Sequence, residues 1–253
     1  MMRFAVAGNP VNHSLSPALF RAAYGNSKDS YGLIEAKSAE EVVERFRDDG
    51  YDGINVTAPF KEDIIGFVDV RSELDIAIGA ANTLLMRNGL IYSFNTDFNG
   101  VQECIKPFVG SGKEVLVIGC GGAGKAAALA AAGLKCRVTV INRSFEKAQQ
   151  FAENHSLAAG RLNDLITLLC KSDIIINTLP SNLELIDRAD FSGKIVLEAN
   201  YQSPQIGRLP FINKSTNYIS GKYWLLHQAV DSFRLFKRTE PDFNSMLLFI
   251  ENI

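Results

Sequence analysis

The chain has 253 residues, 47% hydrophobic and 21% charged, enough for one large or two ordinary globular domains. A formal net charge of −2 offers no electrostatic basis for binding nucleic acid or an anionic membrane, and no apolar run approaches the roughly 20 residues that span a bilayer. The four cysteines, Cys104, Cys120, Cys136 and Cys170, are dispersed without a CxxC pair, which argues for a reducing compartment and against a zinc site or disulfide framework.

Arg3–Ala7 reads as a strand and has none of the basic-then-apolar layout of a secretory signal, so a cytoplasmic protein is expected. Ser16-Pro17 reads as an N-cap followed by proline in the first helical position. Ser38-Ala39-Glu40-Glu41 has the form of a capping box, and the helix it opens places Val42, Val43 and Phe46 on one face. A strand is expected over Asp52–Thr57, then a hairpin of Thr83–Met86 and Leu90–Phe94 turning at Asn88-Gly89. A helical segment through Val101, Ile105 and Phe108 leads to a strand–turn–helix–strand unit: Glu114–Ile118, a glycine turn, Gly124–Ala132 and Arg137–Ile141. Asp173–Asn177 and Lys194–Ala199 read as buried strands extending a parallel sheet. Two helices, about Tyr223–Phe236 and Phe243–Glu251, close the chain and are expected to return to the first domain. The fold class is α/β with two domains.

In GCGGAGKA, Gly119, Gly121 and Gly124 stand at the GxGxxG spacing between a strand and a helix. Such a turn lets the backbone approach a pyrophosphate at a helix N-terminus, although glycine turns also join strands and helices for structural reasons alone. The following strand ends in Asn142-Arg143-Ser144, where an NAD site carries an acid. Arg143, aided by Ser144 and Lys147, can pair with a 2′-phosphate, so the charge favours NADP(H). The alternative is a solvated Arg143 and a Ser144 that only caps the next helix.

Lys61 follows a strand end, and Asp97 lies in Asn95-Thr96-Asp97; together they can supply a general acid and the carboxylate that orients it. Taken singly, most lysines are solvated and NTD is a common turn. Ser14 and Ser16 form a candidate carboxylate cradle beside a helix start, or else a turn and an N-cap. His13, His155 and His227 lack metal-ligand spacing, so no metal is proposed.

The stretches GNPVNHSLSP (Gly8–Pro17), NVTAPFK (Asn55–Lys61), GAANT (Gly79–Thr83), FNTD (Phe94–Asp97) and VLVIGCGGAGKA (Val115–Ala126) resemble the shikimate dehydrogenase family, and the resemblance runs over essentially the whole chain. It implies an α/β substrate domain over 1–100 and 222–253, a Rossmann-like NADP-binding domain over 101–221, and a cleft between them. The implied reaction is reversible reduction of 3-dehydroshikimate to shikimate by NADPH, within aromatic amino-acid and chorismate biosynthesis. Lys61 and Asp97 match the catalytic pair. Ser14, Ser16, Thr57, Asn82, Tyr201 and Gln228 match substrate ligands. Gly119, Cys120, Gly121, Gly122 and Ala123 match the phosphate loop, and Asn142, Arg143, Ser144 and Lys147 match the adenosine-phosphate segment. Glu73 and Gly221 fall at further cofactor positions. The partner expected is a small molecule, with no nucleic acid or membrane, acting on a monomer or homodimer. A quinate/shikimate dehydrogenase of relaxed choice, and a poorly active NADP- or shikimate-binding sensor, are the rival readings.

The C-terminal half departs from the family at four places. Ser181 replaces a usual glycine after Pro180, and Glu198 stands where aspartate is common. Pro204 lies one residue further from Tyr201 than usual. Trp224 takes a methionine position, to pack either against nicotinamide or into the core.

Overall fold

Alternation along RFAVAG sets the layering of the N-terminal part. In β1 (Arg3–Gly8), Phe4 and Val6 pack on one face of a sheet while Ala5 and Ala7 pack on the other. The computed structural model describes residues 1–25, 27–110, 112–180, 182–210, 212 and 216–253, so Ser181 lies outside the described residues. Two units account for the chain: Met1–Asp97 with Leu225–Ile253, and Phe98–Trp224.

The first unit runs α1 (Ser16–Tyr24), β2 (Ser30–Glu35), α2 (Ala39–Asp48), β3 (Gly53–Val56), β4 (Val70–Arg71), α3 (Glu73–Ile78), β5 (Thr83–Arg87) and β6 (Leu90–Phe94) after β1. Its strand order is β2-β1-β3-β5-β6-β4, with β1 parallel to β2 and β3, and β5 antiparallel to β3 and β6. The hairpin turns at Asn88 and Gly89, with φ of 52° and 77°, the left-handed pair that a two-residue turn requires. Against expectation, Ser16 is the first residue of α1 rather than its cap. Leu15 takes the cap position with helical backbone angles, and the Ser16 N–H donates to Ser14 Oγ at 3.3 Å. The capping box of α2 is half made. Ser38 Oγ accepts from Glu41 N–H, but the Glu41 carboxylate reaches one residue further back, to the Lys37 N–H. The edge strand β2, absent from the expected elements, alternates too irregularly to be read from its residues.

The second unit begins within α4 (Asp97–Ile105) and continues β7 (Glu114–Ile118), α5 (Gly122–Gly133), β8 (Arg137–Asn142), α6 (Phe145–Asn154), β9 (Ala158–Arg161), α7 (Leu165–Lys171), β10 (Ile174–Asn177), α8 (Glu184–Asp187), β11 (Ile195–Glu198) and β12 (Asn217–Ser220). These described strands form one parallel sheet, ordered β12-β11-β10-β7-β8-β9. Val115, Val117, Val138, Val140, Ile174 and Ile176 fill one layer, and Leu116, Ile118, Ile141, Ile175 and Val196 the other. Burial on both faces is why β7, β10 and β11 read as continuous apolar runs.

The helix α9 (Gly221–Lys237) is followed by α10 (Phe243–Glu251). From Leu225 onward they complete the first unit: Leu226, Phe233, Phe236, Met246 and Ile250 pack with Phe4, Leu19 and Phe20. Phe236 stacks on Phe4 at 4.7 Å between ring centroids. A Cβ at residue 53 would lie 2.5 Å from the same ring, so Gly53 makes room for it. Trp224 is buried in the hydrophobic core of the second unit, which is the packing alternative. Among the described residues no helix is long and apolar enough to cross a membrane.

Candidate active site and cofactor loop

Sheet topology gathers the first set of polar residues. The strands β1 and β3 are parallel, and their registers place Ala7 opposite Val56 and Asn55 opposite Thr83, which in turn faces Phe94. The ends of β1, β3 and β6 and the start of β5 therefore lie at one edge of the sheet. Ser14, Ser16, Thr57, Lys61, Asn82 and Asp97 all leave from that edge, where loops on a rigid scaffold present functional groups. Cis peptide bonds precede Pro10 and Pro59 in two of these loops.

Lys61 Nζ donates to Asp97 Oδ2 at 2.6 Å. The lysine side chain is 20% exposed and the aspartate 6%, so the cation faces outward on a sheltered carboxylate. Asp97 is the first residue of α4, and Lys61 lies in the turn after β3, with its carbonyl accepting from the Ala81 N–H at 2.8 Å. The loop carrying Lys61 is thereby tied to the segment carrying Asn82.

Behind this pair lies a buried polar network that the sequence reading did not identify. Asn82 Oδ1 accepts from the Thr96 N–H at 2.7 Å, while its Nδ2 donates to Thr96 Oγ1 and to Gln228 Oε1 at 3.0 and 3.3 Å. Ser232 Oγ lies 3.0 Å from Thr83 Oγ1 and 3.1 Å from Thr96 Oγ1, and accepts from Asn55 Nδ2 at 2.8 Å. Asn55 Oδ1 accepts from the Tyr31 hydroxyl at 2.8 Å, and Tyr31 also bonds the Ser16 side chain. Burial pushes the Tyr31 phenol well above its ordinary pKa, which keeps it a neutral donor. The network thus joins Ser16 to Asn82 and Gln228, three of the expected substrate ligands. One signal was available: Gln228 and Ser232 are four apart on a helix and share a face. Ser14 and Thr57 are partly exposed beside it, and the exposed Glu73 opens α3.

In the second unit, Gly119 has φ +109°, and a Cβ there would lie 2.4 Å from Thr178 Oγ1. A Cβ on Gly124 would lie 2.1 Å from the Gly119 carbonyl oxygen. Both positions therefore require glycine. The N-cap of α5 is Gly121, with no side-chain cap and no acid in its first turn, so Gly122 and Ala123 begin a helix whose N–H groups are available to an anion. These features fit a pyrophosphate. The Gly119 N–H donates to the Ile141 carbonyl, and Cys120 Sγ to the Lys147 carbonyl, which ties the glycine turn to the segment after β8. There Ser144 caps α6 by accepting from the Lys147 N–H, Asn142 Nδ2 donates to the Ser144 carbonyl, and Arg143 is exposed.

The substitution at Glu198 has a structural account. Its carboxylate is 1% exposed and accepts from the N–H groups of Gln205, Ile206 and Gly207 at 2.7, 3.0 and 3.0 Å. The Tyr218 hydroxyl and Asn177 Nδ2 complete its shell at 2.9 and 3.2 Å. A glutamate reaches one methylene further than an aspartate, and the loop it holds, which carries Tyr201, is one residue longer before Pro204. Gly221 packs on the end of β11, where a Cβ would meet the Ala199 and Glu198 carbonyl oxygens at 2.3 and 2.6 Å. Among the described residues no cluster of His, Cys, Asp or Glu is placed to hold a metal ion.

Residues 6–84 match the model of the shikimate dehydrogenase substrate binding domain, and residues 104–200 that of shikimate / quinate 5-dehydrogenase. The shikimate dehydrogenase (NADP(+)) of Pyrococcus abyssi is 30% identical over 257 residues, covering 97% of this chain and 96% of that protein. The enzyme of the same name from Ignicoccus hospitalis is 40% identical over 187 residues, 72% of this chain and 71% of its own. Among solved structures, shikimate 5-dehydrogenase from Thermus thermophilus, in complex with NADP(H) and shikimate, superposes with a TM-score of 0.85 at 28% identity, covering 100% of this chain and 99% of that one.

Proposed function

The chain belongs to the shikimate dehydrogenase family, and from that premise we propose that it catalyses the reversible, NADPH-dependent reduction of 3-dehydroshikimate to shikimate in the biosynthesis of chorismate and the aromatic amino acids. The observation that carries this reading is the Lys61–Asp97 pair at 2.6 Å, beside the Asn82–Thr96–Gln228 cluster.

NADPH, when bound, supplies the hydride. Gly119–Ala123 hold its pyrophosphate and Asn142, Arg143, Ser144 and Lys147 its adenosine phosphate, with Glu73 and Gly221 as further contacts. Ser14, Ser16 and Thr57 hold the substrate carboxylate; Asn82, Tyr201 and Gln228 hold its hydroxyls. The Lys61 ammonium then gives a proton to the carbonyl oxygen as negative charge develops there, and Asp97 orients the ammonium. Ligands fixed in a buried network discriminate strongly, because a substrate lacking a hydroxyl leaves polar groups unpaired. Residues 1–100 and 222–253 form the substrate domain in this reading and 101–221 the NADP domain, in a cytoplasmic monomer or homodimer.

Absorbance of reduced nicotinamide, followed with shikimate and either NADP⁺ or NAD⁺, tests the proposal. A rise with NADP⁺ that is much slower with NAD⁺ is expected. Tight binding of both ligands without hydride transfer would instead favour a sensor, and equal oxidation of quinate a relaxed quinate/shikimate dehydrogenase.

A further inference from the structure

We propose that Arg161, together with Arg143 and Lys147, reads the adenosine 2′-phosphate and so helps to select NADP(H) over NAD(H), an inference that rests on the cofactor reading above. No sequence signal marks this residue, which lies eighteen positions beyond Arg143 at the end of another strand.

Register brings it there. The parallel pairing of β8 and β9 sets Asn142 opposite Arg161, so the two strands end side by side. Ligands of open parallel sheets bind outside the carboxyl ends of the strands, which is where both residues stand. The Arg161 guanidinium carbon lies over the Phe145 ring, 4.2 Å from its centroid. Phe145 is the first residue of α6, directly after its Ser144 cap, so the guanidinium is held at the N-terminal turn of that helix. A guanidinium with its face on a ring keeps its N–H groups free around the rim, as a bidentate phosphate contact requires.

Charge points the same way. Neither Arg143 nor Arg161 has a carboxylate partner among the described residues, and Glu146 is the one acid in the first turn of α6. Cations at a helix N-terminus oppose its dipole. Arg143, just before the Ser144 cap, and Arg161, over Phe145, both stand at that helix entry, and a doubly charged phosphate bound there would offset the cost of placing cations against the dipole. Stacking on Phe145 also limits the rotamer freedom that Arg161 would lose on binding.

The test is a fluorescence titration of the full chain with NADPH and NADH, and competition by adenosine 2′,5′-bisphosphate against adenosine 5′-monophosphate. For Arg161→Ala, Kd for NADPH and for the bisphosphate should rise about tenfold or more, as for loss of a charged hydrogen bond, with Kd for NADH and the monophosphate unchanged. Arg161→Lys should retain part of the preference through its charge. A wild-type preference for NADPH that survives intact in Arg161→Ala overturns the proposal and leaves Arg161 as a cover for Phe145. Equal weakening of both cofactors overturns it as well. Wild-type protein that binds NADPH no better than NADH would overturn the cofactor reading itself.

Discussion

Asn55 Nδ2 donates to Ser232 Oγ at 2.8 Å, joining β3 to α9 across 177 positions of sequence. Ser232 is completely buried and touches Asn55, Thr83 and Thr96 at once. The polar edge of the first sheet is therefore organised from behind by one hydroxyl on α9.

Replacing Ser232 by alanine should cost about 1–3 kcal/mol in urea denaturation, since buried partners lose a hydrogen bond without gaining water. Because Asn82 and Gln228 belong to the same network, KM for shikimate should rise severalfold while affinity for NADP⁺ stays constant. A loss of stability with an unaltered shikimate KM would make the network purely structural.

Removing Lys61 should lower kcat by about 10²–10⁴, the usual contribution of a positioned general acid. Alanine there also removes the ammonium that faces Asp97, whose side chain is nearly buried, so Lys61→Ala should be less stable than the double variant Lys61→Ala with Asp97→Asn. Turnover and melting temperature of both variants check the two effects separately. Wild-type turnover in Lys61→Ala would remove Lys61 from proton transfer.

Glu198→Gln should be destabilising despite its small change in shape. The glutamine NH2 would replace one oxygen and so turn a donor either toward the Gly207 N–H and the Tyr218 hydroxyl or toward the N–H groups of Gln205 and Ile206, which need acceptors. A cost of about 1–3 kcal/mol is expected in chemical denaturation. Faster proteolysis of the loop after Tyr201 should accompany it, and neither change should appear in Tyr223→Phe, an exposed control.

Acid should weaken the first unit through Asp29. Burial pushes its carboxyl up, but the Lys237 ammonium, the Met2 N–H and the Ser27 hydroxyl outweigh this and hold its pKa at about 2. The folded value lies below the unfolded value of about 3.9, so the stabilisation is present above about pH 4 and is lost as pH falls toward about 2. Stability measured against pH should decline over that window, and the decline should be shallower in Lys237→Met. An identical slope in both proteins would show that the pair does not contribute.

Local rules carried much of the reading because they depend on neighbouring residues alone. Glu114–Ile118, the Asn88-Gly89 hairpin and the second terminal helix lie where periodicity and turn chemistry set them. Gly119 and Gly124 were legible because no other side chain fits their turn. Lys61 and Asp97 were legible as a pair only through the surrounding motifs, since neither residue type is diagnostic by itself. Pairing across the sheet was not legible: β2 is an irregular strand and β9 and β12 are short ones, all formed by a neighbour's hydrogen bonds rather than by their own pattern. The start of α1 falls one residue before the expected one because the Ser14 hydroxyl, rather than that of Ser16, takes up an N–H at the helix entry. Tertiary structure alone decided that Ser232 completes the Asn55 network, that Arg161 stands beside Asn142, and that Glu198 gathers three N–H groups. Each is a contact between residues brought together by the fold, and such contacts exist only once hydrophobic burial has assembled the strands and helices that carry them.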